Sequence, residues 1–295
     1  MSVSTQTKNN KPRAKWSEKY GLPKRTRIEA KLSPWKKLVL LFKHRRFIWD
    51  AGWQALLARR EGVIQDDEYK DRLQSTLGEY LNWYFTDKSF LHSIDWMGIP
   101  TRKLVTDVWV YQEIIFETKP DLIIEIGSFY GGSTLFLAQM LDLLGSGEVL
   151  SIDVSHDHFM PNHPRIRKIT ADCSDEAVVE QARELAKGKR VMVIHDGDHT
   201  AAAVERDLKL YAPLVTPDMY LIIEDGVVDL LDPRHSKVGR AYPGGGPMKA
   251  ARRFLNEMEA HFELDMKRER FILTTNPKGY LRRKSSMHQD HLTSL

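Results

Sequence analysis

The sequence predicts an α/β fold: a doubly wound, mostly parallel sheet with a C-terminal antiparallel hairpin, preceded by a helical N-terminal region. Three observations predict it. From about residue 118, short apolar runs ending in Gly or Asp alternate with helical stretches, the pattern of a βαβ series. Charge is segregated: residues 1–60 carry sixteen Lys/Arg against three acids (Glu18, Glu29, Asp50), so the rest is net acidic although the whole chain is at +4. All seven tryptophans lie in the first 109 residues, so two compositions share one chain. With 295 residues, 42% of them hydrophobic and 28% charged, a wholly disordered or fibrous chain is excluded.

Residues 1–30 are basic, polar and aperiodic, and are expected to be a disordered arm. Residues 31–117 are expected to be a helical region. From Ser33-Pro34 onward, Trp35, Leu38, Leu41, Phe42, Ile48 and Trp49 recur at roughly helical spacing, with Lys36, Lys37, Lys43, Arg45 and Arg46 between them. Such a basic amphipathic helix would either touch an anionic membrane surface or pack on the main domain or a neighbouring subunit. The basic arm allows non-specific attraction to nucleic acid, but nothing resembles a base-reading module, so no specific nucleic acid is expected.

The domain over 118–284 should contain strands at Leu122–Ile126, Glu148–Asp153, Ile166–Thr170, Val191–His195 and Tyr220–Glu224. Helices fit at about 131–144, 175–187 and 200–212, with another after Pro247. A hairpin of Phe262–Thr274 and Tyr280–Arg283 closes the domain, and residues 285–295 form a polar tail. Right-handed crossovers put every parallel strand's C-terminal end on one edge, where such Rossmann-like sheets bind ligands. No apolar run approaches the ~18 residues of a membrane span, the N-terminus lacks a secretory core, and the one cysteine, Cys173, excludes an intramolecular disulfide. A cytoplasmic protein is expected.

Chemistry concentrates after the strands. The first ends Glu125-Ile126-Gly127-Ser128-Phe129-Tyr130-Gly131-Gly132-Ser133, a glycine turn that opens a helix and lets backbone approach a ligand. The spacing matches neither the dinucleotide fingerprint nor the phosphate loop. An acid at Glu125 would repel a pyrophosphate and suit a cationic amino group. Asp153 ends the second strand, where an acid can hold a ribose diol, and Asp172, beside Cys173, follows the third. Each could instead cap the next helix, but acids at three successive strand ends favour a nucleoside-bearing cofactor with an amine. Asp196 follows the fourth strand, and Glu224 and Asp225 close the fifth. Three converging carboxylates need a cation, and oxygen donors suit Mg²⁺ or another hard divalent ion. His199, three residues beyond Asp196, would stand beside that ion and take a proton from a substrate hydroxyl. Asp198 and Thr200 read as helix caps, and His195 receives no role.

Together these residues resemble a class I S-adenosylmethionine-dependent methyltransferase. More narrowly, the chain is similar to the family of cephalosporin hydroxylases and rhamnosyl O-methyltransferases. The likeness also rests on Trp96-Met97-Gly98-Ile99-Pro100, Asp107-Val108-Trp109-Val110-Tyr111-Gln112-Glu113, Lys119-Pro120-Asp121, Gly246-Pro247-Met248-Lys249-Ala250 and Asn276-Pro277-Lys278-Gly279-Tyr280-Leu281. It covers about residues 80–283 and implies that Glu125, Gly127, Ser128, Gly131 and Ser133 surround the methionine part of S-adenosyl-L-methionine. Asp153 would hold the ribose, and Asp172 with Cys173 the adenine end. Asp196, Glu224 and Asp225 would bind Mg²⁺ or Mn²⁺, with Asp196 also beside the cofactor. His199 falls where catechol-type relatives place a lysine base.

The expected activity is therefore metal-dependent O-methylation of a sugar or other natural-product hydroxyl by a homo-oligomer, with Asp196 and His199 catalytic. Two alternatives are a metal-dependent oxygenase and a non-catalytic cofactor-binding partner subunit. Iron oxygenases use two His and one carboxylate. The only H-x-[DE] triplets, His261-Phe262-Glu263 and His288-Gln289-Asp290, lie near the C-terminus, away from the acidic cluster.

Overall fold

The computed structural model describes residues 80, 84, 94–231 and 240–285. The chain divides into two compact units, Met1–Asp66 and Asp67–Leu295, and every described residue lies in the second. The basic arm over 1–30, the amphipathic helix expected after Ser33 and most of the 285–295 tail lie outside the described residues.

A two-stranded ribbon, β1 (Asp95–Trp96) and β2 (Ile99–Pro100), leads into helix α1 (Val105–Thr118). The main sheet then builds as β3 (Leu122–Ile126), α2 (Gly132–Leu144), β4 (Glu148–Asp153), β5 (Ile166–Thr170), α3 (Glu176–Ala186) and β6 (Val191–His195). It continues with α4 (Ala201–Tyr211), β7 (Tyr220–Ile223), α5 (Pro247–Glu257), β8 (Phe262–Leu264) and β9 (Tyr280–Arg283). Strand order is β5-β4-β3-β6-β7-β9-β8. The first five strands in that order run parallel, and β9 pairs antiparallel with both β7 and β8.

β3, β6 and β7 are buried at every residue, as strands covered on both faces must be. One layer packs α3, α4 and α5 on Leu122, Ile124, Val193 and Leu221. The other packs α1 and α2 on Ile123, Val149, Met192 and Ile222. Each such fully buried side chain stabilises the fold by roughly 1.5–3 kcal/mol relative to exposure. Chain order reverses between β3 and β6, so the crevice at their C-terminal ends is the expected ligand site.

Local chemistry fixes the helix ends. Gly131 and Gly145 bound α2, both with left-handed φ. The Thr200 hydroxyl accepts from Ala203 N at the start of α4. At α5, Pro247 occupies the first turn while the Asp229 carboxylate accepts from Gly246 N and Lys249 N.

The hairpin differs from expectation in one arm. The run expected as a strand to Thr274 stops at Leu264, and Met266–Glu269 forms a 3₁₀ turn. The buried guanidinium of Arg268 is the cause: it donates to Tyr220 Oη (3.0 Å), Asp265 Oδ2 (3.1 Å) and the Glu117 carboxylate, which draws the chain inward. Among the described residues, no helix is long and apolar enough to cross a membrane.

Candidate functional site

The ends of β3, β4 and β6 enclose a cavity of about 450 Å³, lined among others by Gly127, Ser128, Asp153, Asp172, Cys173 and Asp196. Gly127 is required there. Its φ is +83°, and a Cβ would stand 2.0 Å from the Asp196 backbone oxygen. That approach lets Asp196 N donate to Ile126 O (2.7 Å) and turns the Asp196 side chain into the crevice.

Asp153 organises the glycine turn. Its Oδ2 accepts from Ser128 N (2.7 Å) and Phe129 N (3.1 Å), and its Oδ1 from Ser155 N (3.2 Å). Burial pushes this carboxyl up, but those backbone donors outweigh it and hold the group below the usual aspartate range. Asp172 accepts from Ser174 N and Oγ, both at 2.8 Å, which holds its carboxyl low. It is thus a turn-former as well as a cavity wall. Burial, then Asp207, pushes the Cys173 thiol up to about 12, so it lines the cavity without being a nucleophile. Beneath, His195 and Asp207 form a buried pair (3.0 Å), with Arg206 Nε on the other Asp207 oxygen (2.7 Å).

Glu125 lies deeper, wholly buried, with Thr134 Oγ1 donating to its Oε2 and no partner at Oε1. Burial raises its carboxyl above the ordinary value, against Lys103, Ser133 and Thr134, which lower it. Ser133 stands beside Glu125. Gly131 is turned toward Phe159 and Pro161, which a Cβ there would meet at 2.6–2.7 Å. Neither lines the cavity.

Across the crevice, Asp196, His199 and Asp225 each place a ligating atom within 4.8 Å of the others. His199 Nε2 is 3.0 Å from Asp225 Oδ2, while its buried Nδ1 has no partner. Burial lowers the imidazole, but Asp225 and Asp196 outweigh it and push it up to about 9. Asp225 holds a left-handed φ of +55°, which Asp tolerates, and its N–H donates to Asn276 Oδ1 (3.1 Å). Glu224 is 2% exposed and stands behind the other three. Its Oε2 meets Lys103 and its Oε1 has no partner, and burial pushes the carboxyl well up despite Lys103.

Sequence reasoning overlooked Lys103 and the Asp107 network. Lys103, 4% exposed, donates to both Asp196 Oδ2 and Glu224 Oε2. Burial lowers its ammonium, but Asp196, Glu224 and Glu125 more than offset this and keep it charged. Asp107 of α1 accepts from Thr274 Oγ1 (2.6 Å), Thr275 N (2.8 Å) and Tyr280 Oη (2.8 Å), anchoring the loop that carries Asn276. Asp107 and Asn276 each open a motif that carries the family likeness, though their contacts were not legible, and one lysine before a helix carries no local signal.

The family model "Rhamnosyl O-methyltransferase/CmcI" matches residues 88–284. A rhamnosyl O-methyltransferase of Mycobacterium leprae is 37% identical over 70% of this chain and 90% of its own length. One of Mycobacterium bovis is 32% identical over 69% and 83%. A CmcI structure with Mg and SAM superposes with a TM-score of 0.51 at 21% identity, covering 66% of this chain and 78% of that one. A CmcI apo-structure gives 0.51 at 23%, with the same coverage. At those identities the structures speak for the fold.

Proposed function

The chain belongs to the rhamnosyl O-methyltransferase/CmcI family, and on that premise we propose that it carries the methyl group of S-adenosylmethionine to a hydroxyl of a sugar or other natural-product acceptor, with Mg²⁺. The observation that carries this reading is the adjacency of a cavity built from the β3, β4 and β6 ends to a cluster of acidic side chains with buried unpartnered atoms. Mg²⁺ suits the donor set: Asp196 and Asp225 present carboxylate oxygens, and the orphaned Glu224 Oε1 is buried with no other partner. When bound, such an ion lowers the acceptor hydroxyl's pKa and fixes its position.

The chain's own residues supply the rest. Glu125 Oε1 is unpartnered and suited to the cofactor's ammonium. Asp153, Asp172 and Cys173 wall the nucleoside end, with Asp153 suited to the ribose, and Ser128 lies in the glycine turn that Asp153 holds. Gly131 and Ser133 act by shaping α2 and seating Glu125. With the cofactor held there, the methyl group would pass from its sulfur to the acceptor oxygen, the methyl–sulfur bond breaking as the methyl–oxygen bond forms, and His199 would receive the hydroxyl proton. Asp225 keeps His199 protonated up to about pH 9, so the imidazole serves as a base only when that carboxylate is engaged elsewhere. Holding donor and acceptor in line supplies much of the rate.

The oxygenase alternative is not favoured. The described residues gather one His and two carboxylates, and His261 lies beside β8 at the far edge of the sheet; His288 lies outside the described residues. The basic segment over 31–60 would add membrane or subunit contact, testable by vesicle co-sedimentation and by solution mass. For the chemistry, S-adenosylmethionine and S-adenosylhomocysteine are titrated calorimetrically into metal-free protein, with Mg²⁺ and with Asp196→Ala. Micromolar binding of both, with a Mg²⁺ site lost in the variant, supports the reading; binding of neither overturns it.

A further inference from the structure

We propose that Lys103 is a positioning residue that ties Asp196 and Glu224 together from the inner side of the cluster and so aims one oxygen of each toward a divalent cation. The proposal rests on the metal reading above and adds a residue to it. Lys103 Nζ meets one oxygen of Asp196 and one of Glu224. The other oxygen of Glu224 is buried without a partner, and Asp196 still offers an atom to the group with His199 and Asp225. One ammonium thus satisfies one oxygen of each acid and holds the two carboxylates together beside His199 and Asp225. Glu224 is nearly inaccessible while Asp196 and Asp225 are about a quarter exposed, so Lys103 forms the floor of the cluster and not its mouth.

The fold invests in placing this side chain. Arg102 adopts a left-handed φ of +51°, uncommon for a non-glycine residue, and its guanidinium lies 4.4 Å above the Phe129 ring while Lys103 turns inward. The strand leading to it runs so close to α2 that a Cβ on Gly132 would meet Thr101 Oγ1 at 2.4 Å and Pro100 O at 2.5 Å. The second glycine of the Gly131-Gly132 pair therefore serves the approach to Lys103. A buried ammonium shared by two carboxylates is costly to remove from one side only, and partners that orient metal ligands commonly change metal affinity by about 10–100-fold when lost.

The test titrates Mn²⁺ into the metal-free full-length protein, followed by calorimetry and by the electron paramagnetic resonance of free Mn²⁺. S-adenosylhomocysteine is titrated in parallel. Variants are Lys103→Met and, should that not fold, Lys103→Gln, which keeps a polar head. Expected is a loss of Mn²⁺ affinity of about tenfold or more, with S-adenosylhomocysteine affinity changed less than about threefold and Lys103→Arg recovering most of the Mn²⁺ binding. Unchanged or tighter Mn²⁺ binding overturns the proposal, as does a parallel loss of both ligands, which a merely structural lysine would give. Wild-type protein that takes S-adenosylhomocysteine but no Mn²⁺ overturns the metal reading itself, and the tether with it.

Discussion

The two sides of the crevice are built on opposite principles. On the β3–β4 side the polar groups are already satisfied: Asp153 holds three backbone N–H groups and Asp172 a serine turn. On the β6–β7 side, Glu224 Oε1 and His199 Nδ1 are buried without partners, and acids crowd around one lysine. A pre-formed wall suits an organic ligand that must be oriented, because little ordering remains to be done on binding. An under-satisfied cluster suits an ion, whose charge offsets the repulsion that the metal-free protein tolerates. Glu125, satisfied at one oxygen and orphaned at the other, lies at the boundary.

Three substitutions would break or sharpen this contrast. Gly127→Ala should act most strongly, because it adds left-handed strain to an overlap with the Asp196 backbone that cannot move aside. A loss of ~3 kcal/mol is expected, with both ligands weakened, since Gly127 is where the two sides touch. Urea denaturation with ligand titration checks it; an unchanged midpoint would show that the close approach of Gly127 to the Asp196 backbone is not required. Asp153→Ala should cost ~2 kcal/mol through its lost charge-assisted hydrogen bonds, and weaken S-adenosylhomocysteine while leaving Mn²⁺ binding intact. Asp225→Asn should do the reverse. Asn accepts the left-handed φ, so no backbone strain is added; stability near neutral pH should fall only by the lost His199–Asp225 pairing, while Mn²⁺ binding is lost. If either variant affects both ligands equally, the two sides are one unit.

The same contrast explains how far the sequence could be read. β3, β4, β6 and β7 were legible because buried strands are short apolar runs, while the edge strand β5 carries Arg167 and Lys168 and has no buried residue; all five lie where strands were expected, and the fifth ends at Ile223, one residue before the acid that was assigned to it. The acids at their ends were legible because topology alone puts them on one edge. What lies between was not. Lys103, Asp107 and Asn276 act on residues more than fifty positions away in the chain, a coupling no local pattern encodes. The shortened β8 arm had the same cause, a single buried arginine whose partners come from α1 and β7.

The smallest expected effect is a two-sided pH dependence of stability in the metal-free protein. Asp153 and Asp207 are held below their ordinary range, Asp153 by backbone N–H groups and Asp207 by His195 and Arg206, each against burial. Depressed groups contribute stability above the unfolded aspartate value, near 3.9, which is lost as pH falls through their folded values. His199 is shifted the other way. Raised to about 9 by Asp225 against burial, it contributes stability fully present below the unfolded histidine value of about 6.5 and lost as pH rises through about 9. The acid limb therefore includes the cofactor side, together with Glu117, Asp142, Glu148 and Asp265, which are also held low elsewhere in the domain, whereas the His199 contribution to the alkaline limb belongs to the metal side. Asp225→Asn should flatten the alkaline limb alone, and saturating Mn²⁺ should do the same by engaging that carboxylate. Thermal midpoints from pH 4 to 10 check this; an alkaline limb that survives Asp225→Asn would assign it to groups outside the cluster.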